Sequence, residues 1–550
     1  MRRVWLLFLL TSCAFTQVFH RNTAEPVTLE NPAEPGETLL MVAPERMEEP
    51  VDLQVAGEPV EWTWFDEARV EFTLPANAAG SFLEVTLAGV SGTVPVNRAD
   101  GVQLDSSEVR DLATRAALAL DNQTLAVAVV DRAGRPLAIF RRPQAADADV
   151  ETALSLARTG AFFSHNQAPL SSRTVRSLST INFPEGIPNL PAAALYGIEN
   201  TNRGCEFNTT FAPGKAIPPA KNVAGTGPGK GVTTQAGGLP LYRNGSVMIG
   251  GIGVGGVGPD AAEFATVAAT FGTPFFVSLP LPPPAAVFVD GIRLPFVFQT
   301  TRPAGTAGAS ALGGTFTVGP LHGNEAPAEW LVLPKASPTL TADEVSAIIE
   351  RSIDRANKTR AVIRLPLGTR TRMAISVTDL QGNVLGLYRM PDSTVFSIDV
   401  AVAKARNVVY FSGPNADARD LGGVPPGTAF TNRTIGFGGQ PLFPSGILNS
   451  TPGPFFDVYQ FDLANPCTQG RQPKNANQSG IVFFPGSAPL YKGGNLVGGL
   501  GVSGDGVEQD DYVTAAGAQG FEAPPEKRAD QTIIRGVRLP YWKFPRNPEQ

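Results

Sequence analysis

The chain has 550 residues, a formal net charge of −6, 58 glycines and 49 prolines, and 43% of its residues are hydrophobic. Interspersed acids and bases with a negative balance exclude an extended nucleic-acid surface. The glycine and proline load excludes a helical bundle, and the length points to about three domains of roughly 150–200 residues each.

Residues 1–13 read as a secretory leader: Met1-Arg2-Arg3, an apolar run from Val4 to Leu10, then Thr11-Ser12-Cys13. The run is too short to span a bilayer. Leu10-Thr11-Ser12-Cys13 resembles the bacterial lipobox, which implies lipidation at Cys13, a membrane anchor and an outer-membrane lipoprotein of the cell envelope, since no Asp follows the cysteine. An ordinary leader with an incidental cysteine is the alternative. Residues 14–37 are polar and Pro- and Glu-containing, the composition of a tether.

Residues 38–98 change texture. Short β-forming runs (51–55, 60–64, 70–74, 82–87, 92–96) predict a small β-sandwich. Trp62-Thr63-Trp64, Val70-Glu71-Phe72-Thr73-Leu74-Pro75 and the strand around 81–87 resemble an IPT/TIG-type immunoglobulin-like domain, which implies a spacer.

From residue 103 the chain repeats itself, with one copy over 103–300, a Gly/Ala/Pro-rich linker over 301–335 with a strand near Trp330, and a second copy over 336–546. A capped helix opens each copy, at Ser106 and after Thr341. An alternating apolar segment then turns at Asp-x-x-Gly, Asp131 to Gly134 or Asp379 to Gly382, and returns as a hairpin. A helical pattern follows, and both copies run 27 positions from that Asp to Arg158 or Arg406. Further matched pairs are Arg173-Thr174-Val175 with Arg433-Thr434-Ile435, Phe183-Pro184 with Phe443-Pro444, Pro240-Leu241-Tyr242 with Pro489-Leu490-Tyr491, and Gly291 to Phe296 with Gly536 to Tyr541. Cys205 and Cys467 lie in the equivalent long loops. Their matched positions suggest that the repeats pack as a pseudo-twofold pair, with a disulfide between the loops or two buried free thiols.

The second copy, over about 339–520, resembles the GlcG/HbpS-type haem-binding family. The residues that carry the resemblance are Ala374-Ile375-Ser376-Val377, Asp379, Gly382, Arg389-Met390-Pro391-Asp392, Ala401, Ala403-Lys404-Ala405-Arg406, Pro485-Gly486, Pro489-Leu490, Gly498 to Gly504 and Glu508-Gln509-Asp510. The first copy looks like a diverged one, with Leu156 where Lys404 stands. The resemblance implies an α+β fold of two tandem profilin-like antiparallel-sheet domains forming a pseudo-dimer, with haem or another planar or carboxylated small molecule as ligand. Both copies depart from the family through long insertions, 182–235 and 444–484, which would either cover the ligand groove or create a new interface, including one for protein partners.

Several motifs have competing readings. Gly251-x-Gly253-x-x-Gly256 and Gly499-x-Gly501-x-x-Gly504 match a dinucleotide fingerprint by spelling, but each sits late in its repeat, outside a βαβ context. Of three histidines, His20, His165 and His322, only His165 lies near the implied groove, as an axial haem ligand or a helix-end cap. Its counterpart in the second copy is Gly413. Tyr410, Tyr388 and Met390 are further donors that core packing explains equally well. Arg389, Lys404 and Arg406 would hold a carboxylate or else form salt bridges. Glu508 and Asp510 would join the ligand site, bind a cation or cap the next helix. No Ser/His/Asp or zinc-spaced set is present, so the reading is non-enzymatic: sensing, scavenging or storage, or else a structural module whose pocket is lost.

Overall fold

The computed structural model describes residues 17–27, 33, 36–43, 53–55, 58–75, 82–88, 90–95, 104–208, 220–243, 247–276, 287–319 and 330–549. Cys13 with its leader and His322 lie outside them. Two compact units, 1–99 and 100–550, divide the chain. Its class is mixed α and β, built from small antiparallel sheets and, among the described residues, nine α-helices.

In the first unit two four-stranded sheets share a core that includes Leu39, Met41, Leu53, Val55, Val70, Phe72, Val85 and Leu87. The expected tether is corrected here. Val18–His20 form an edge strand paired with Thr38–Val42, because Val18 and His20 alternate inward and His20 Nδ1 bonds Glu37 at 2.7 Å. Polar average composition hid this short alternation.

In the second unit each repeat builds a five-stranded antiparallel sheet. The order in the first is Gly238–Arg243, Val247–Gly255, Ala126–Asp131, Pro136–Arg141 and Thr315–Val318. The second has the same arrangement: Ser487–Lys492, Asn495–Ser503, Ala374–Thr378, Val384–Arg389 and Trp330–Val332. The linker is thereby corrected too, since it supplies the last strand of both sheets. Thr-Phe-Thr-Val is a β-forming run that the surrounding Gly/Ala/Pro composition masks.

A long helix crosses each sheet, Asp147–Phe163 in the first repeat and Phe396–Ser412 in the second; the second is buried along its whole length and the first from Ala153 onward. Side chains between helix and sheet would hold them apart, and the glycines remove those side chains. A Cβ on Gly251, Gly253 or Gly255 would collide with the carbonyls of Ala157, Ala153 and Asp149 in turn. In the second repeat Gly499 and Gly501 meet Ala405 and Ala401 likewise. Each step of two along the strand is thus matched by four along the helix, one strand pleat to about one helical turn. The glycine spacing is therefore a packing device, and no phosphate cradle is formed.

The other duplicated motifs explain one another. Thr174 Oγ1 donates to Pro295 O (2.7 Å) and Thr434 Oγ1 to Pro540 O (2.6 Å). Arg173 pairs with Glu263, and Arg433 with Asp511. The Arg-Thr helix of each repeat is the clasp for its own C-terminal Arg-Leu-Pro segment.

Gly501→Ala should cost about 1–3 kcal/mol through forced separation of helix and sheet. Gly258→Ala, with open space around it and ordinary φ, should cost less, about 0.5 kcal/mol, as the small loss of replacing an N-cap glycine. Denaturant midpoints of the two variants check this.

Candidate functional site

The unit that both repeats share is closed by two arginines. Arg389 Nε donates to Ser393 O at 3.0 Å, and Arg141 Nε to Ala145 O at 3.0 Å, each holding the turn before the crossing helix. At the far end Arg406 Nε reaches Gly382 O (2.9 Å) and Arg158 Nε reaches Gly134 O (3.1 Å). The constant Asp-to-Arg spacing is the distance from the hairpin turn to the helix residue that ties it down. The aspartate shapes the same turn: Asp379 Oδ1 accepts from the amides of Gln381 and Asn383, both at 2.9 Å.

Against this turn in the second repeat opens a cleft of about 270 Å³. Its walls are the hairpin turn (Leu380, Gln381), the end of the crossing helix (Arg406, Tyr410, Gly413) and the second insertion, including Gln472 and Asn477. Arg406 lines it with its guanidinium already bound by oxygens: Gly382 O, Ser479 Oγ (2.7 Å), Glu206 O (3.2 Å) and Phe207 O (2.7 Å). Tyr410 donates to Asp420 Oδ2 at 2.6 Å and accepts from the Asp417 amide at 3.2 Å. Burial and the Asp420 carboxylate push its phenol up, so it stays protonated.

The other expected site residues lie elsewhere. Lys404 is buried, pairs with Asp510 at 3.0 Å, donates to Val502 O at 2.7 Å and lies over the Phe484 ring. Burial lowers the lysine and raises the Asp510 carboxyl to about 7. This pair is internal to the second repeat, which is why Leu156 replaces the lysine where Ala262 replaces the acid. Glu508 pairs with Lys543 nearer the surface. The structure brings Lys404 and Asp510 together, but it puts neither them, Arg389 nor Glu508 in the cleft lining.

His165 is also outside it. The ring is fully buried, and Nδ1 accepts from the amides of Gln167 and Ala168 at 3.2 and 3.1 Å, which leaves the proton of the neutral form on Nε2. Burial, reinforced by Arg364, holds the imidazole well below its usual range. It borders a polar knot between the repeats that sequence reading did not assign a role. Asp392, at φ +55°, takes Arg132 (2.6 Å) and the Asn166 amide from the first repeat and Arg364 (3.0 Å) from the second. Burial raises the carboxyl, but Arg132 and Arg364 outweigh it and hold it well below the ordinary range.

A family model described as haem degrading protein HbpS-like matches residues 103–270 and 340–519, more than half of the chain. The chain belongs to the HbpS-like family. Among solved structures it is similar to that titled a PduOC:heme complex, at 19% identity and a TM-score of 0.22, over 34% of this chain and 97% of the other. A Klebsiella pneumoniae protein, ORFY, gives 19% and 0.22 over 34% and 95%. No curated protein matches.

The two HbpS-like repeats are joined by their insertions. A disulfide links Cys205 and Cys467, whose Cα atoms are 5.2 Å apart. Beside it Asn200 Nδ2 donates to Asp462 (2.8 Å), the Asn202 amide to Asp399 (2.7 Å), and Phe163 stacks on Phe396 at 4.1 Å. Acids within apolar runs, Asp399 and Asp462, were the available sequence signal for this interface.

Burial raises Asp399 to about 6 and Asp462 to about 7. A carboxyl raised above its unfolded value of about 3.9 contributes stability that is complete below pH about 4 and lost as pH rises through the folded values. Wild type should therefore lose roughly 1–3 kcal/mol between pH about 5 and about 8 relative to Asp462→Asn, whose amide mimics the protonated acid. Paired denaturation curves across that range measure the difference.

Proposed function

We propose that the protein is a non-enzymatic binding protein of its family, taking the edge of a planar, carboxylated molecule of the haem class in the cleft beside Arg406. The observation that carries this is the cleft's position against the turn–helix unit that defines both repeats. The family's description as haem degrading supports the ligand class. At about 270 Å³ the cleft falls just under the roughly 300–1,000 Å³ of drug-sized sites, which suits an edge rather than an enclosed macrocycle.

The cleft does not fit ligation of haem iron. Haem iron takes an axial His, Cys, Met or Tyr. Among the described residues the lining contains no His, Cys or Met, and its Tyr410 is protonated and already engaged at the hydroxyl. The reading is therefore of contact with the macrocycle's polar rim, and no redox or oxygen step is assigned.

In this reading each repeat is a profilin-like domain, the disulfide-linked pair is an intramolecular pseudo-dimer, and the first unit is an immunoglobulin-like spacer. Lipidation of Cys13 would anchor the chain in the cell envelope, with an outer-membrane lipoprotein as the destination. Sensing, scavenging or storage is the role that suits binding without turnover. The second reading, a structural or protein-interaction module, is favoured by Ile187 and Ile447. These are equivalent residues of the two insertions and are 50% and 51% exposed.

Titration of the full chain with haem, followed by Soret absorbance, tests the choice. A saturable one-to-one shift is expected, weakened at least about tenfold by Asn415→Trp with Asn475→Trp, which fill the rim from exposed positions. No shift beyond that of free haem would remove the ligand reading and leave the interaction module.

A further inference from the structure

Some buried cations of the second unit meet carboxylates, Lys404 with Asp510 and Arg364 with Asp392 and Asp505, whereas Arg158 and Arg142 rest on backbone carbonyls. Among the described residues Arg406 has no ion pair of this kind. Its guanidinium rests on three carbonyls and a hydroxyl, with Asp399 and Asp379 acting only at longer range. Two of those carbonyls, Glu206 O and Phe207 O, come from the first repeat. They occupy the donors that a fork-shaped guanidinium otherwise offers a carboxylate.

The segment carrying them also crosses to the second repeat through Arg203, whose Nη1 donates to Leu463 O (3.1 Å) and Asp462 O (3.4 Å), and it is tied within the first repeat by the Gly229 amide on Arg203 O (2.8 Å) and by the Lys221–Glu206 pair. Asn208 Nδ2 donates to Asn477 Oδ1 (2.8 Å), and Asn477 both lines the cleft and holds Gln381 O at 2.9 Å. Phe207 is buried, whereas Glu206 and Asn208 are exposed. The covalent attachment is the Cys205–Cys467 bond immediately before them. Cys205 is buried and Cys467 is partly accessible, with its backbone in the left-handed region at φ +61°, a conformation disfavoured for a side-chain-bearing residue.

We propose that segment 203–208 is a latch across the cleft wall, and that two-electron reduction of Cys205–Cys467 releases it and opens Arg406 to a carboxylate of the bound molecule. This rests on the reading of the cleft as a ligand site. The reductant is a dithiol. Its thiolate attacks the sulfur of Cys467, the less buried of the two residues, the S–S bond breaks with Cys205 leaving as thiolate, and the second thiol of the reductant resolves the mixed disulfide. The protein gains two thiols as the dithiol becomes a disulfide. Once the staple is gone, the segment is held on the second repeat by buried Phe207 and by the hydrogen bonds of Arg203, Arg406 and Asn208, while the repeats stay joined through Asp392, Asp462 and the Phe163–Phe396 stack.

The experiment has two arms on the full chain. Hydrogen exchange compares oxidised protein, reduced protein and Cys205→Ser with Cys467→Ser. Stopped-flow fluorescence follows metal-free protoporphyrin IX binding to the same samples and to Arg406→Lys. We expect amides 203–208 to exchange at least tenfold faster without the disulfide, and porphyrin association to quicken at least tenfold, with the gain removed by Arg406→Lys. Unchanged exchange in both disulfide-free samples overturns the latch, whatever the porphyrin does. Faster exchange with porphyrin binding at an unchanged rate overturns the gating and leaves the ligand site standing. Faster exchange with no porphyrin binding in any sample overturns the ligand reading and the gating with it.

Discussion

Direct contact between a helix backbone and a glycine-bearing strand sets the geometry of both repeats. Because Gly251, Gly253, Gly499 and Gly501 carry no side chains, the crossing helix lies down until its carbonyls meet the strand. That close approach fixes the helix axis and its rotation. Rotation in turn decides which residues reach the hairpin turn, and only a long side chain at Arg158 or Arg406 spans the gap. The cleft is a consequence of the same arrangement, since it occupies the corner between the helix end, the tied turn and the insertion.

The duplication has kept this mechanical frame and divided the rest. Both copies retain the arginines that close the two turns and the Arg–acid clasp on the C-terminal segment. The internal Lys404–Asp510 pair is confined to the second copy, and its replacement by Leu156 and Ala262 in the first changes both partners together. Such paired loss is what burial demands, because removing one partner strands the other charge in a low-dielectric core. At one equivalent position the first copy carries a buried imidazole, His165, and the second carries Gly413 beside the cleft.

Sequence conveyed the frame well and the destinations of polar groups poorly. Hairpins, crossing helices and glycine strands were legible because alternation, helical spacing and capping residues are local signals, as at Thr341 and Glu344. Thr315–Val318 and Val18–His20 escaped because each is too short to alter the composition around it. For the site, Arg389 and Arg406 read as ligand contacts, whereas their main partners are backbone carbonyls, which every residue possesses and no sequence pattern marks. Asp392 stood in a quoted motif, but its three partners are distant in sequence: Arg132, Asn166 and Arg364. The resemblance found the family, while the assignment of donors to acceptors needed three dimensions.

The connection between the repeats has a further bearing on how the chain survives folding. Each sheet would end in an open edge at Pro136–Arg141 or Val384–Arg389, and the connecting segment completes both, with Thr315–Val318 on one and Trp330–Val332 on the other. Open edges recruit strands from other molecules. The connecting segment therefore replaces two six-residue borders with very short ones, four residues on one sheet and three on the other, and a very short edge is a poor template for a foreign strand.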